Sequence, residues 1–280
     1  SAPDQNVNGS LVYTDIASRC FISLPSWLSI GLLIIGLTSA LLMWWRAGKE
    51  QRWATLITPL LGLILATGFA FLASLAFTML APGVDFWWAY RAATRGWCIA
   101  LALLGVVGGA ALVARNAAPA QLEAAAFSIF ALVGAGLTII APGISILFAA
   151  PLLVYAIGAV PGFVWRPAAA IGAIAAALAT QIIWAPMLYL TELALGFDMP
   201  FVSALLFALA TLPWLGALAR LCGEGHWRLS WQGASVTALI AIAAAALLPA
   251  STTAMPHAVN LVHFTNTSTG QQRLLAGSAA

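Results

Sequence analysis

Eight long apolar stretches, separated by short polar loops, take up most of this 280-residue chain. A helix needs about 20 apolar residues to cross roughly 30 Å of hydrocarbon. The bilayer core offers no water to backbone N–H and C=O groups, so a spanning segment must satisfy them within a helix or a closed barrel. Charged residues make up only 7% of the chain, hydrophobic ones 62%, and the mean hydropathy is +0.99. A soluble protein could not cover its surface with so few ionic groups. The expected fold is an all-α integral membrane protein: a linker over residues 1–24, about eight transmembrane helices over 25–250, and a short β-like tail over 251–280.

The first span is read from Leu28 to Trp45, opened by Pro25 and closed by an interfacial Trp44-Trp45 pair. The second runs from Leu56 to Leu80 and the third from Trp97 to Ala114. No charge occurs between Ala124 and Trp165. That run of about 42 residues would be roughly 63 Å long as one helix, twice the bilayer core. Ala141-Pro142-Gly143 is where it should break, since Pro and Gly together end helices and permit a tight turn. The sixth span covers Ala168 to Leu190, the seventh Phe201 to Ala219 and the eighth Ala234 to Leu248.

Basic residues collect in cytoplasmic loops. Arg46, Lys49 and Arg52 follow the first span, and Arg115, Arg166, Arg220 and Arg228 follow the third, fifth and seventh. The opposite side holds Arg91 and Arg95, with Glu192 and Asp198. An even number of spans then puts both termini outside the cytoplasm, and a bacterial inner membrane is the expected location. The net charge of +3 is spread singly between spans, which excludes the clustered basic surface a nucleic acid requires. Cys20 and Cys98 fall on one side of the membrane, so a single bridge is allowed; the alternative is three isolated small side chains.

Gly105, Gly108 and Gly109, Gly134 and Gly136, and the Ala-rich sixth and eighth spans suit close helix packing better than a pathway. Ionisable residues deep in a span are candidates for function, and this chain places its acids near span ends or in loops. The most polar interior pair is Thr180-Gln181, where Gln181 suits a cross-helix hydrogen bond better than substrate contact. No HExxH pair occurs, and His226, His257 and His263 all lie outside the spans. No catalytic residue and no metal ligand is therefore assigned within this chain. The outer loop Pro82 to Gly96 carries Trp87, Trp88, Tyr90, Arg91 and Arg95, which fit an interfacial aromatic belt or a surface that touches a partner domain or lipid headgroups.

Two hydrophilic segments flank the bundle. Val259 to Phe264 alternates like a strand, Asn266 to Gly270 is turn-rich, and Gln271 to Leu275 can return as a second strand. The other segment, Leu11 to Leu24, precedes the first span, after a polar Ser1 to Ser10 that reads as a linker, a cut end or the tail of something removed.

The run Leu11-Val-Tyr-Thr-Asp-Ile with Ser23-Leu-Pro25 resembles the junction after the catalytic domain in membrane-bound members of metallopeptidase family 28. Pro142-Gly143-Ile-Ser145 with Pro151 is similar to that group's signature between two adjacent spans. Val259-Asn-Leu-Val with Thr269-Gly270-Gln-Gln-Arg273 resembles its final segment. Gln272-Arg273-Leu274 departs from the usual small-Arg-Trp ending, and Thr14 stands where an aromatic is common. The resemblance implies a zinc aminopeptidase domain upstream, on the extracytoplasmic side, with zinc as its cofactor and the lipid bilayer and that domain as partners of this chain. None of the family's zinc ligands has a counterpart here. The implied role is a membrane anchor and positioning module of a hydrolase; the alternative is a transporter or lipid-handling protein.

Overall fold

Apolar residues without long runs of β-branched side chains, interrupted by Pro, Gly and polar turns, give nine α-helices among the described residues of a computed structural model. Those residues are 11–16, 20–47, 52–80, 91–114, 116–195, 199–223, 226–248, 260–265 and 272–277. The helices are α1 (Ser26–Arg46), α2 (Arg52–Leu80), α3 (Arg91–Val113), α4 (Pro119–Ile140), α5 (Ser145–Gly162), α6 (Arg166–Leu195), α7 (Pro200–Thr211), α8 (Leu215–Cys222) and α9 (Trp227–Ala246). The α7 and α8 segments are joined through a 3₁₀ turn, Leu212–Trp214, where Pro213 lacks the N–H a helix would use. They act as one span, so eight units are long and apolar enough to cross a membrane. The protein is a multi-pass, all-α membrane protein.

The charge-free run breaks where expected, at a 3₁₀ turn over Pro142–Ile144. The eighth span begins earlier than its apolar residues indicate, at Trp227 rather than Ala234. Its first two turns carry Arg228, Ser230 and Gln232, polar residues suited to the interface rather than the hydrocarbon. Alternation of direction is visible in the contacts. Ser29 of α1 meets Ser145 of α5, Phe77 of α2 meets Trp97 of α3, and Cys98 of α3 lies 3.7 Å from the carbonyl of Pro200. These mark one end of the bundle; Arg46, Glu123, Phe163, Arg166 and Arg220 meet at the other. We call them the hairpin end and the arginine end.

The name of the first comes from a difference with the sequence reading. Leu11 to Leu24, expected as a linker, forms two antiparallel strands, β1 (Leu11–Ile16) and β2 (Cys20–Pro25), in register from Leu11 opposite Pro25 to Ile16 opposite Cys20. Then β2 runs directly into α1, and β1 lies against α5, α6 and the Pro142 turn. An isolated hairpin is marginal in water, and the bundle supplies the surface it needs. The tail pairs as anticipated, β3 (Asn260–Thr265) against β4 (Gln272–Gly277).

The central helix is α4, with every residue from Gln121 to Ala131 buried, while α9 is peripheral. Lipid is as apolar as leucine, so van der Waals packing between small residues must hold the helices together. On α3, Gly105 and Gly109 stand one turn apart against Gly62 and Ala66 of α2. Gly158 of α5 abuts Gly172 of α6, and Gly162 faces Ala169. Gly134 accepts the Phe148 ring and Gly108 the Trp231 indole, whereas Gly136 faces open space. The Ala-rich sixth span buries Ala169, Ala173, Ala176 and Ala177; in α9 only Ala238 and Ala245 are buried, so most of its alanines are not packing surface within this chain. Cys98 is a buried free thiol, so the allowed bridge to Cys20 is not formed.

A Cβ at Gly109 would lie 2.6 Å from the Thr58 carbonyl oxygen and 2.9 Å from the Gly62 nitrogen. Gly109→Leu should therefore cost about 1–3 kcal/mol through overpacking, read as a lower thermal unfolding midpoint of the detergent-purified protein. Gly136→Leu, into open space, should leave the midpoint nearly unchanged.

Candidate functional site

Any chemistry in an apolar bundle must begin from its polar groups; here many are committed to structure, while Thr94 Oγ1, the Tyr155 hydroxyl and the Trp231 indole nitrogen are buried without a hydrogen-bond partner. Within the spans, hydroxyls of Thr58, Thr67, Ser128, Thr138, Thr180 and Thr211 each donate to the carbonyl four residues earlier, at 2.6 to 2.8 Å. Thr180 is thus turned onto its own helix. Gln181 reaches across to α7, its Nε2 donating to the Ala210 carbonyl at 2.8 Å, beside the Pro213 turn. One turn on, the Trp184 indole donates to the Leu147 carbonyl at 3.0 Å. That carbonyl would normally accept from residue 151, which is a proline. Trp184 therefore fills the gap that Pro151 leaves in α5, and its ring packs edge-on to Phe148 with centroids 5.1 Å apart. The Pro142-to-Pro151 motif has the same character. Ser145 donates to the Pro142 carbonyl at 2.7 Å, and its hydroxyl lies 2.8 Å from that of Ser29.

Two acids that the sequence places near span ends are buried, Glu123 at 3% exposure and Glu192 at 6%. Each is held by an arginine from a distant helix. At the hairpin end, Arg95 grips Glu192 as a fork: its Nε lies 2.8 Å from Oε1 and its Nη2 2.5 Å from Oε2. At the arginine end, Arg220 of α8 bonds Glu123 of α4. Gly216 makes that meeting possible, because a Cβ there would sit 2.5 Å from the Glu123 Cβ. Sequence reasoning missed both pairs. The available signal was that each acid shares a membrane face with an arginine carried by another span.

Of the outer-loop residues singled out, Trp87, Trp88 and Tyr90 lie outside the described residues. Arg91 opens α3, and Arg95 is engaged with Glu192 rather than left for a partner. Among the described residues no group of three or more His, Cys, Asp and Glu side chains is placed to hold a metal ion.

Two spaces remain. One, of about 450 Å³, is an apolar recess between α2, α3 and α9, bordered by Phe69, Leu104, Trp231 and Leu239. The other, of about 360 Å³, opens at the arginine end among α1, α4, α5, α6 and α8. Arg46, Arg166 and Arg220 line it together with Glu123, and Met43, Ala120 and Ala170 complete its wall. Its wall is the more polar of the two. No protein-family model, no curated protein and no solved structure matches the chain.

Removing one partner of a buried pair strands the other. The Arg220 side chain is 32% exposed and can turn to water, whereas Glu123 cannot. Arg220→Met should thus destabilise by about 3–5 kcal/mol, Glu123→Gln by clearly less, and the double variant should recover most of the loss in thermal unfolding. For the α5 gap, Trp184→Phe should cost about 1–3 kcal/mol by orphaning the Leu147 carbonyl. Adding Pro151→Ala restores a backbone donor and should return part of that stability, a coupling that a double-mutant cycle measures.

Proposed function

We propose that this chain is the membrane module of a zinc-dependent exopeptidase, anchoring and orienting a catalytic domain that precedes Leu11. The chemistry of the hydrolase belongs to that domain, and zinc to its ligands. One observation carries the reading. The Leu11–Pro25 segment, where the resemblance to membrane-bound metallopeptidase family 28 begins, is a hairpin seated on α5, α6 and the Pro142 turn and continuous with α1. A domain attached there would join the bundle through a hairpin seated on its surface. The Pro142–Pro151 motif of the same resemblance builds the ground on which the hairpin rests.

With arginines more numerous on the opposite face, the hairpin end is the extracytoplasmic one, and both chain ends lie there. A bacterial inner membrane fits that arrangement. The interior supports the division of labour: the Thr180 hydroxyl turns onto its own helix, Gln181 and Trp184 bond neighbouring backbones, and the two acids are tied to arginines at opposite ends.

The test is made on the complete gene product in its native membrane. Aminopeptidase activity abolished by a zinc chelator is expected, and a separately supplied catalytic domain should co-purify with the bundle. Deletion of residues 11–24 should abolish that association. An upstream reading frame with no zinc-ligand domain would sink the proposal.

A further inference from the structure

We propose that the cavity at the arginine end binds a phosphate group, supplied either by an anionic phospholipid headgroup or by free inorganic phosphate. Five helices line it, and three of them each place an arginine in its wall, in a chain with only 11 basic residues overall. Only Arg220 is neutralised, by Glu123. Arg46 and Arg166 are exposed and have no carboxylate partner among the described residues, so two positive charges face the same opening uncompensated. Like charges brought together repel, and a bound anion is what makes such a cluster favourable.

Geometry supports a built site. Arg46 is pinned, its guanidinium 5.0 Å above the Phe163 ring and its Nη2 3.5 Å from the Phe163 carbonyl. A fork held in place loses less freedom on meeting an oxyanion. Ala120 and Ala170 present only methyl groups, leaving about 360 Å³, within the roughly 300–1,000 Å³ of small-molecule sites. The start of α4, which no side chain caps, opens on the same space and adds positive potential. The carbonyl ends of α1 and α5 oppose it there, so the arginines carry most of the attraction.

Depth selects the anion. Trp45 and Trp165, both exposed, immediately precede Arg46 and Arg166, and tryptophans of this kind sit at headgroup level. The abundant anion at that depth is a phosphate diester, and basic pockets between spans bind such headgroups. Guanidinium forks match its paired oxygens. The proposal does not depend on the exopeptidase reading: a bundle serving any other catalytic domain, or none, would still bind phosphate.

The experiment uses the purified full chain in detergent. Phosphatidylglycerol and phosphatidylcholine are offered together and retention is read by native mass spectrometry; inorganic phosphate is titrated separately by calorimetry. Arg46→Ala and Arg166→Ala should each weaken phosphatidylglycerol retention roughly fivefold, and Arg228→Ala, an exposed arginine at the same end but outside the cavity wall, should not. Both target side chains are exposed, so folding should survive, and Arg46→Lys, which keeps the charge without the fork, should fall between wild type and alanine. Inorganic phosphate that binds with the same arginine dependence and displaces the lipid would assign the site to free phosphate. Equal loss in Arg228→Ala, or neither lipid preference nor phosphate binding, would overturn the proposal.

Discussion

In hydrocarbon, a backbone carbonyl without a donor has nowhere to turn, and this constraint organises the bundle. Four prolines lie inside its helices: Pro59, Pro151, Pro161 and Pro186. The clearest repair is Trp184, which crosses from α6 to serve the Leu147 carbonyl freed by Pro151. Three residues earlier, Gln181 reaches the Ala210 carbonyl of α7. One face of α6 thereby stitches both neighbours in place. Of what reads in the sequence as the most polar patch of the interior, Gln181 ties α6 to α7, and Thr180 turns onto its own helix.

Close approach is the second condition. Gly158 against Gly172 and Gly109 against Thr58 bring backbones nearly into contact, so dispersion replaces the hydrophobic drive that lipid cannot give. The same device admits a charge. Without a glycine at 216, α8 could not come close enough for Arg220 to reach the carboxylate of Glu123. Glycine thus sets both the packing of the bundle and the one ion pair that borders its polar cavity.

Much of this was legible along the chain, because a bilayer fixes span length. The Pro142 turn followed from a charge-free run too long for one crossing, and the alternating residues near Val259 announced the tail hairpin. The Leu11–Pro25 hairpin was harder to see, because its pairing depends on the bundle surface beneath it. The start of α9 was misplaced since Trp227 to Gly233 is polar, yet helices extend beyond the hydrocarbon into the interface. The ion pairs Arg95–Glu192 and Glu123–Arg220 were invisible for a different reason. Each joins helices far apart in sequence, and only the folded arrangement decides which arginine on a given face meets which acid. The cavity shares that origin, as its arginines come from three separate spans.

The division of charge between the two ends has a functional consequence. Proton movement through a bundle needs a relay of titratable groups at successive depths. Here the two buried acids sit at opposite ends, each held by an arginine. Between them, the hydroxyls of Ser128, Thr138 and Thr180 donate to carbonyls of their own helices, Gln181 and Trp184 bridge to neighbouring backbones, and the Tyr155 hydroxyl is buried without a hydrogen-bond partner. The two ends differ: one carries the seated hairpin, the other a cavity lined by Arg46, Arg166 and Arg220. An anchor that must keep a fixed orientation benefits from that asymmetry. A phosphate held on one face and a rigid exit on the other would together resist both tilt and rotation of whatever is attached.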